Sequence, residues 1–161
     1  MANNITKLIK RYGKPVAGSD FETKNLVLWD VPKYINKMLP CLPNKIYCNK
    51  DIVEPLNGVF LDLIHAYMAG SLSVLDSLVT WDGCFNIRPK RGYENEADEE
   101  TLSTHAFAIS VDVNAFRNQL GKEPTFSRRF VKIWENHGFI WGGYFKRKDG
   151  MHFEYNTALL D

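Results

Sequence analysis

"STHAFAISVDVN" (residues 103–114) decides how this chain is to be folded. Sorted by strand parity over 107–113, Phe107, Ile109, Val111 and Val113 share one face, while Ala108, Ser110 and Asp112 share the other. The first set is a core face. The second is small, small and acidic, as befits a strand that lines a site. His105 has the wrong parity to join Asp112 on a regular strand, so it must enter from a bend just before it.

The same sorting applies to "WGGYFKRKDGMHFEY" (141–155). Over 151–156, Met151, Phe153 and Tyr155 form the packing face, and His152, Glu154 and Asn156 the polar one. If the two polar faces adjoin, Asp112 meets His152. Two imidazoles and a carboxylate, His105, His152 and Asp112, make three good zinc ligands, and three protein ligands leave a fourth position open for a reacting group. Asp149, three residues before His152, is placed to serve as general base once the chain turns at "KDG" (148–150), with Glu154 behind a ligand histidine to orient it. From the residues alone, a metal site and an ordinary polar cluster both stay open.

The rest of the chain frames this pair of strands. At 161 residues it is one domain's worth, and 45% hydrophobic with 24% charged content is ordinary for a soluble globular protein. Lys and Arg total 20 against 19 acidic residues, a balance that argues against nucleic-acid binding by counterion release. The clusters "RPKR" (88–91), "SRR" (127–129) and "KRK" (146–148) read as solvated surface. Helices are expected over 3–12, 58–69 and 126–138, with Val59, Leu63, Ala66 and Tyr67 on the inner face of the second. His65 there reads as a partly buried helix residue, and His137 as the end of the third helix. Strands are expected at 25–31 and 44–50, within a region (16–57) otherwise broken by prolines, and from Ser77 to Trp81. "YENEADEE" (93–100) reads as an exposed acidic loop.

No secretory signal opens the chain, and its best apolar run, 58–70, is too short to span a bilayer. Synthesis in a cytoplasm without membrane insertion is the expectation. Cys41, Cys48 and Cys84 form no CxxC pair and read as reduced thiols, although Cys41 and Cys48 could bridge in an oxidising compartment.

Taken together, these residues resemble the zinc peptidases of the M15 family, the D-Ala-D-Ala carboxypeptidases and phage-type L-alanyl-D-glutamate endopeptidases. The family pattern S-x-H-x-x-G-x-A-x-D lines up with Ser103, His105, Ala108, Ser110 and Asp112, the Ser, His and Asp being identical, and its second motif with "GFIWGGYFKRKDGMHFE" at 138–154. "WDGCFNIRPKRG" (81–92) is similar to the arginine-bearing segment that precedes the first motif. The resemblance implies an α+β fold, a small antiparallel sheet flanked by helices with the zinc on the sheet (D-Ala-D-Ala peptidase-like, hedgehog-like). It implies one peptidase domain over 1–161, with a family-like core at 56–157 behind an extension at 1–55. By the same resemblance, Zn2+ is held by His105, Asp112 and His152, and Asp149 is the catalytic base. Arg88, with Arg91 next, would polarise the scissile carbonyl, and Ser103, Arg91 and Trp141 would contact substrate.

The implied substrate is the peptide of bacterial peptidoglycan, reached by a lysin after release or by a virion component. A D-Ala-D-Ala carboxypeptidase or dipeptidase is the alternative enzyme, and a non-catalytic zinc-fold protein the alternative of another class. Oligomeric state is not set by the sequence; a monomer is the working expectation. Ala108 and Ser110 stand where the family has Gly and Ala. If that Gly serves a positive φ, Ala108 strains the turn; if it only makes room, one methyl is tolerable.

Overall fold

In a computed structural model, described for residues 2–95 and 98–161, two antiparallel sheets are packed with five α-helices. Glu96 and Ala97, in the middle of the expected acidic loop, lie outside the described residues. The expected α+β class with small antiparallel sheets is what the chain adopts.

Helix α1 (Ile5–Tyr12) is capped by Asn4, whose side chain accepts from the Lys7 amide, and it stops at Gly13 (φ 82°). Helix α2 (Phe21–Asn25), strand β1 (Leu26–Asp30), helix α3 (Lys33–Met38) and strand β2 (Lys45–Asn49) follow, with β1 and β2 pairing as an antiparallel ribbon. Both strands were expected; the two short helices were not. Helix α4 (Val53–Met68) begins five residues before its expected start, because Pro55 sits in the first turn, where no intrahelical partner is needed for its missing N–H. Leu56, Val59, Phe60, Leu63 and Ile64 are its buried stripe, Ala66 and Tyr67 are half-buried, and His65 is exposed rather than partly buried.

The second sheet has the order β3 (Trp81–Gly83), β4 (Ser110–Val113), β6 (His152–Tyr155), β5 (Phe139–Trp141), all antiparallel. Helix α5 (Arg128–Asn136), capped by Ser127, lies on its apolar face: Trp134 stacks on Phe153 at 4.2 Å between ring centroids, and Phe60 of α4 meets Trp134 edge-on. His137 ends α5, as expected. Its Nε2 also lies 2.6 Å from Asp62 Oδ2, and its ring lies so close to Gly58 that a Cβ there would fall 2.5 Å from it. The N-terminal region joins the same core, with Phe21 edge-on to Phe107 and the Asn49 amide donating to the Ala108 carbonyl at 2.9 Å.

Two strand expectations need correction. Residues 77–80 are not a strand; a 3-10 turn (Val74–Asp76) precedes them, and the Val79 and Thr80 amides donate to the buried Asn114 side chain instead of to a neighbouring strand. The strand expected from Phe107 begins only at Ser110, because Thr104–Phe107 is a 3-10 turn ended by Ala108 in the left-handed region (φ 55°, ψ 30°). That turn is the bend from which His105 enters. All three cysteines are unpaired; Cys48 and Cys84 are buried and Cys41 half-buried.

Candidate metal centre

The register of β4 against β6 puts Asp112 directly opposite His152 and Ser110 opposite Glu154, so the two polar faces do adjoin. Opposed residues on one face of an antiparallel pair have Cβ atoms about 4.5–5.5 Å apart, which brings the carboxylate and imidazole together without further adjustment. The 3-10 turn adds His105 from the side. Its Nε2 lies 3.1 Å from Asp112 Oδ2 and 3.2 Å from His152 Nδ1, and His152 Nδ1 lies 3.4 Å from Asp112 Oδ1. One donor atom from each of the three falls within 4.8 Å of the others, and all three residues are buried.

Hydrogen bonding on the far sides of the rings fixes which nitrogen points inward. His105 Nδ1 is 2.7 Å from the Cys84 carbonyl, which can only accept, so Nδ1 carries the proton and Nε2 presents a lone pair. His152 Nε2 is 3.0 Å from Glu154 Oε1, so its proton sits there and Nδ1 presents a lone pair. In the neutral rings, two lone pairs therefore face each other across 3.2 Å beside a carboxylate whose Oδ1 is buried without a hydrogen bond. Such an arrangement repels itself unless a cation or protons sit among the three groups, and this donor set fits zinc.

The protonation behaviour of the metal-free cluster agrees. Burial alone would lower the His152 pKa, but the Asp112 and Glu154 carboxylates beside it outweigh that and raise it to about 10. Burial would raise Asp112, yet the adjoining imidazoles hold it well below the usual carboxylate range. Glu154 is likewise held down against its burial by hydrogen bonds from His152 and Asn3.

Asp149 precedes β6 in a tight turn, its carbonyl accepting from the His152 amide. Gly142 of the "WGG" motif backs onto that turn: a Cβ at Gly142 would lie 2.4 Å from the Asp149 carbonyl oxygen, so only glycine lets the turn approach β5. The Asp149 carboxyl is raised, chiefly by burial, and its Oδ1 has no hydrogen-bond partner. It shares a cavity of about 370 Å³ with Asp112, His152 and Glu154.

Arg88 and Arg91 both line this cavity, and Arg91 is the arginine whose charge acts on Asp149. Lys90 and Arg147 line it too, so the clusters at 88–91 and 146–148, read from sequence as plain solvated surface, converge as a cationic rim. The remaining expected substrate contacts lie elsewhere. Ser103 is buried and caps the 3-10 turn, accepting from the His105 amide at 3.3 Å. The Trp141 indole is buried, stacked near Phe153 and donating to the Gly150 carbonyl at 2.8 Å, and it is not among the cavity's lining residues.

Both departures from the family pattern acquire a physical reading. Ala108 does adopt a positive φ, so the strained alternative holds. The Ser110 hydroxyl donates to Thr104 Oγ1 at 2.6 Å, and Thr104 Oγ1 in turn lies 3.4 Å from His152 Nε2, which gives the buried hydroxyl a partner. Thr104, Tyr93 and Phe145 line the cavity without having been singled out from sequence, where each reads as an ordinary loop residue.

A family model described as D-alanyl-D-alanine carboxypeptidase matches residues 97–155, which contain every residue of the His–Asp–His cluster together with Asp149 and Glu154. Over that segment the chain is similar to the M15 peptidases. Arg88 and Arg91 precede the matched segment, so their assignment rests on their position at the cavity. No curated protein and no solved structure matches the chain.

Proposed function

We propose that this protein is a single-domain zinc peptidase that hydrolyses an amide bond in the peptide stem of bacterial peptidoglycan, of the endolysin or virion-associated L-alanyl-D-glutamate endopeptidase kind. The observation that carries this reading is the cluster of His105, Asp112 and His152, of which the last two line the cavity. Two imidazole lone pairs and an unsatisfied carboxylate oxygen converge there, beside a second carboxylate, Asp149, that is raised and unpartnered.

Zinc bound by His105, Asp112 and His152 would supply Lewis-acid activation of water and of the scissile carbonyl. Asp149 Oδ1 takes the proton from the attacking water and returns it to the leaving amine; its upward shift brings it nearer the pH at which a group can do both. Arg88 and Arg91 donate hydrogen bonds to the oxyanion as charge develops. Lys90 and Arg147 extend the positive rim towards carboxylates of the substrate. Glu154 holds His152 in the tautomer that aims Nδ1 inward.

A D-Ala-D-Ala carboxypeptidase or dipeptidase is the second reading, favoured by the description of the matched family model. Against a non-catalytic zinc-fold protein stands Asp149, since a metal kept for folding needs no poised base. The test is mass spectrometry of purified peptidoglycan fragments incubated with zinc-loaded protein and with the Asp149→Ala variant. Release of the stem at L-Ala supports the endopeptidase, and loss of a terminal D-Ala the carboxypeptidase. No cleavage in any wall chemistry, with zinc bound, overturns both.

A further inference from the structure

The carboxylate that orients His152 is itself held from the other end of the chain. Glu154 is 2% exposed, and its two oxygens take three donors. Oε1 takes the His152 ring; Oε2 takes both the Asn3 main-chain amide at 2.8 Å and the Asn3 side-chain amide at 2.6 Å. The remaining capacity of the Asn3 amide is filled as well. Nδ2 also donates to the Tyr155 carbonyl at 2.8 Å, and Oδ1 accepts from the Thr157 amide at 3.0 Å and its hydroxyl at 2.9 Å. The amide cannot flip without setting donor against donor and acceptor against acceptor, so its orientation is fixed between the end of β6 and the turn that follows it. Asn3 and Ala2 also line the cavity that contains Asp112, Asp149 and His152.

We propose that Asn3 is a positioning residue of the metal centre: by fixing Glu154 it fixes the His152 ring, and it makes the N-terminal segment part of the site. Resting on the zinc reading above, the chain of contacts runs from Thr157 through Asn3 and Glu154 to the nitrogen that faces Asp112. Partners one step behind a ligand, as Glu154 is, change metal affinity by about 10–100-fold when removed, and Asn3 stands one step further back.

The experiment is zinc titration of the metal-free 161-residue chain against a chromophoric chelator, with circular dichroism to verify folding. Asn3→Ala is expected to weaken zinc binding about 3–10-fold, below the range for a direct ligand partner. Asn3→Asp, nearly the same shape, sets a carboxylate against Glu154 and is expected to weaken it further. Asn4→Ala removes the cap of α1, where Asn4 Oδ1 accepts from the Lys7 amide, without touching Glu154; its zinc affinity is expected to stay within about twofold of wild type, because Asn4 bonds to no group that orients a ligand. Unchanged affinity in both Asn3 variants overturns the inference, as does an Asn4→Ala loss equal to that of Asn3→Ala. A wild-type protein that takes up no zinc overturns the metal reading and this inference with it, and the wild-type titration alone separates that case from the others.

Discussion

Asp76 and Asp112 are the buried aspartates among the described residues, and their oxygens keep different company. Asp76 Oδ1 accepts from the Ser127 amide at 2.7 Å, and Oδ2 from the Ser127 hydroxyl at 2.6 Å and the Ser73 amide at 3.1 Å. It ties the turn before β3 to the start of α5, and both of its oxygens are engaged. Asp112, on the sheet, has one oxygen without a hydrogen bond and two imidazoles within 3.4 Å. A carboxylate used for architecture is saturated by fixed neutral donors. One used for chemistry keeps capacity that only a mobile proton or a cation can fill.

That contrast is open to experiment. The largest effect is expected at the proposed base: Asp149→Ala should cut turnover about 10²–10⁴-fold, the range for loss of a general acid–base group. Zinc content should stay at wild-type level, read by metal analysis of the same preparation. His105→Ala should instead lose the metal and the stabilisation that comes with it; retention of stoichiometric zinc would refute its assignment. Asp76→Ala leaves three donors of the turn and the α5 cap without their acceptor and should cost about 3 kcal/mol in chemical denaturation. Its zinc affinity should be unaltered, which is what separates the two aspartates.

Acidity tests the same contrast from another side. In the metal-free protein His152 is raised from 6.5 to about 10, so its contribution to stability is complete below pH 6.5 and is lost as pH rises towards 10. Asp112 is shifted down from 3.8, so its contribution is complete above that value and is lost as pH falls. Thermal melts should therefore show the metal-free protein losing stability from pH 6.5 to 9. The increment added by zinc should grow over the same interval, because the ligands bind in their deprotonated forms. A metal-free melting temperature that rises over that interval would contradict the coupling of His152 to its carboxylates.

The smallest effect is expected at Ala108. Glycine would relieve about 1–2 kcal/mol of left-handed strain. It would also forfeit a buried methyl of about 0.8 kcal/mol and add about 0.5–1 kcal/mol of backbone entropy cost. Ala108→Gly should thus shift stability by no more than about 1 kcal/mol by the same accounting, with urea denaturation as the readout.

How far the sequence anticipates all this depends on the range of the interactions. The Asp112–His152 encounter was legible because parity on two short strands is a local property and the sheet preserves it. His105 was legible as an entrant from a bend for the same reason. The true start of β4 was not: residues 106–109 are all buried, so a run of apolar and small residues fits a turn as well as a strand. The false strand at 77–80 has a long-range cause, since Asn114 supplies with its side chain what a neighbouring strand would have given. The cationic rim unites residues more than fifty positions apart, and Asn3 meets Glu154 across 151 positions. No local pattern encodes either.

The direct opposition of Asp112 and His152 makes the ladder self-checking. A slip of one residue between β4 and β6 would set Asp112 against Met151 or Phe153 and turn His152 and Glu154 towards α5. No three-ligand site would exist in that arrangement, whereas the correct pairing assembles one. Any ion the site accepts therefore stabilises only chains whose strands are in step, so metal uptake during folding would act as a proofreader of strand register as well as a preparation for chemistry.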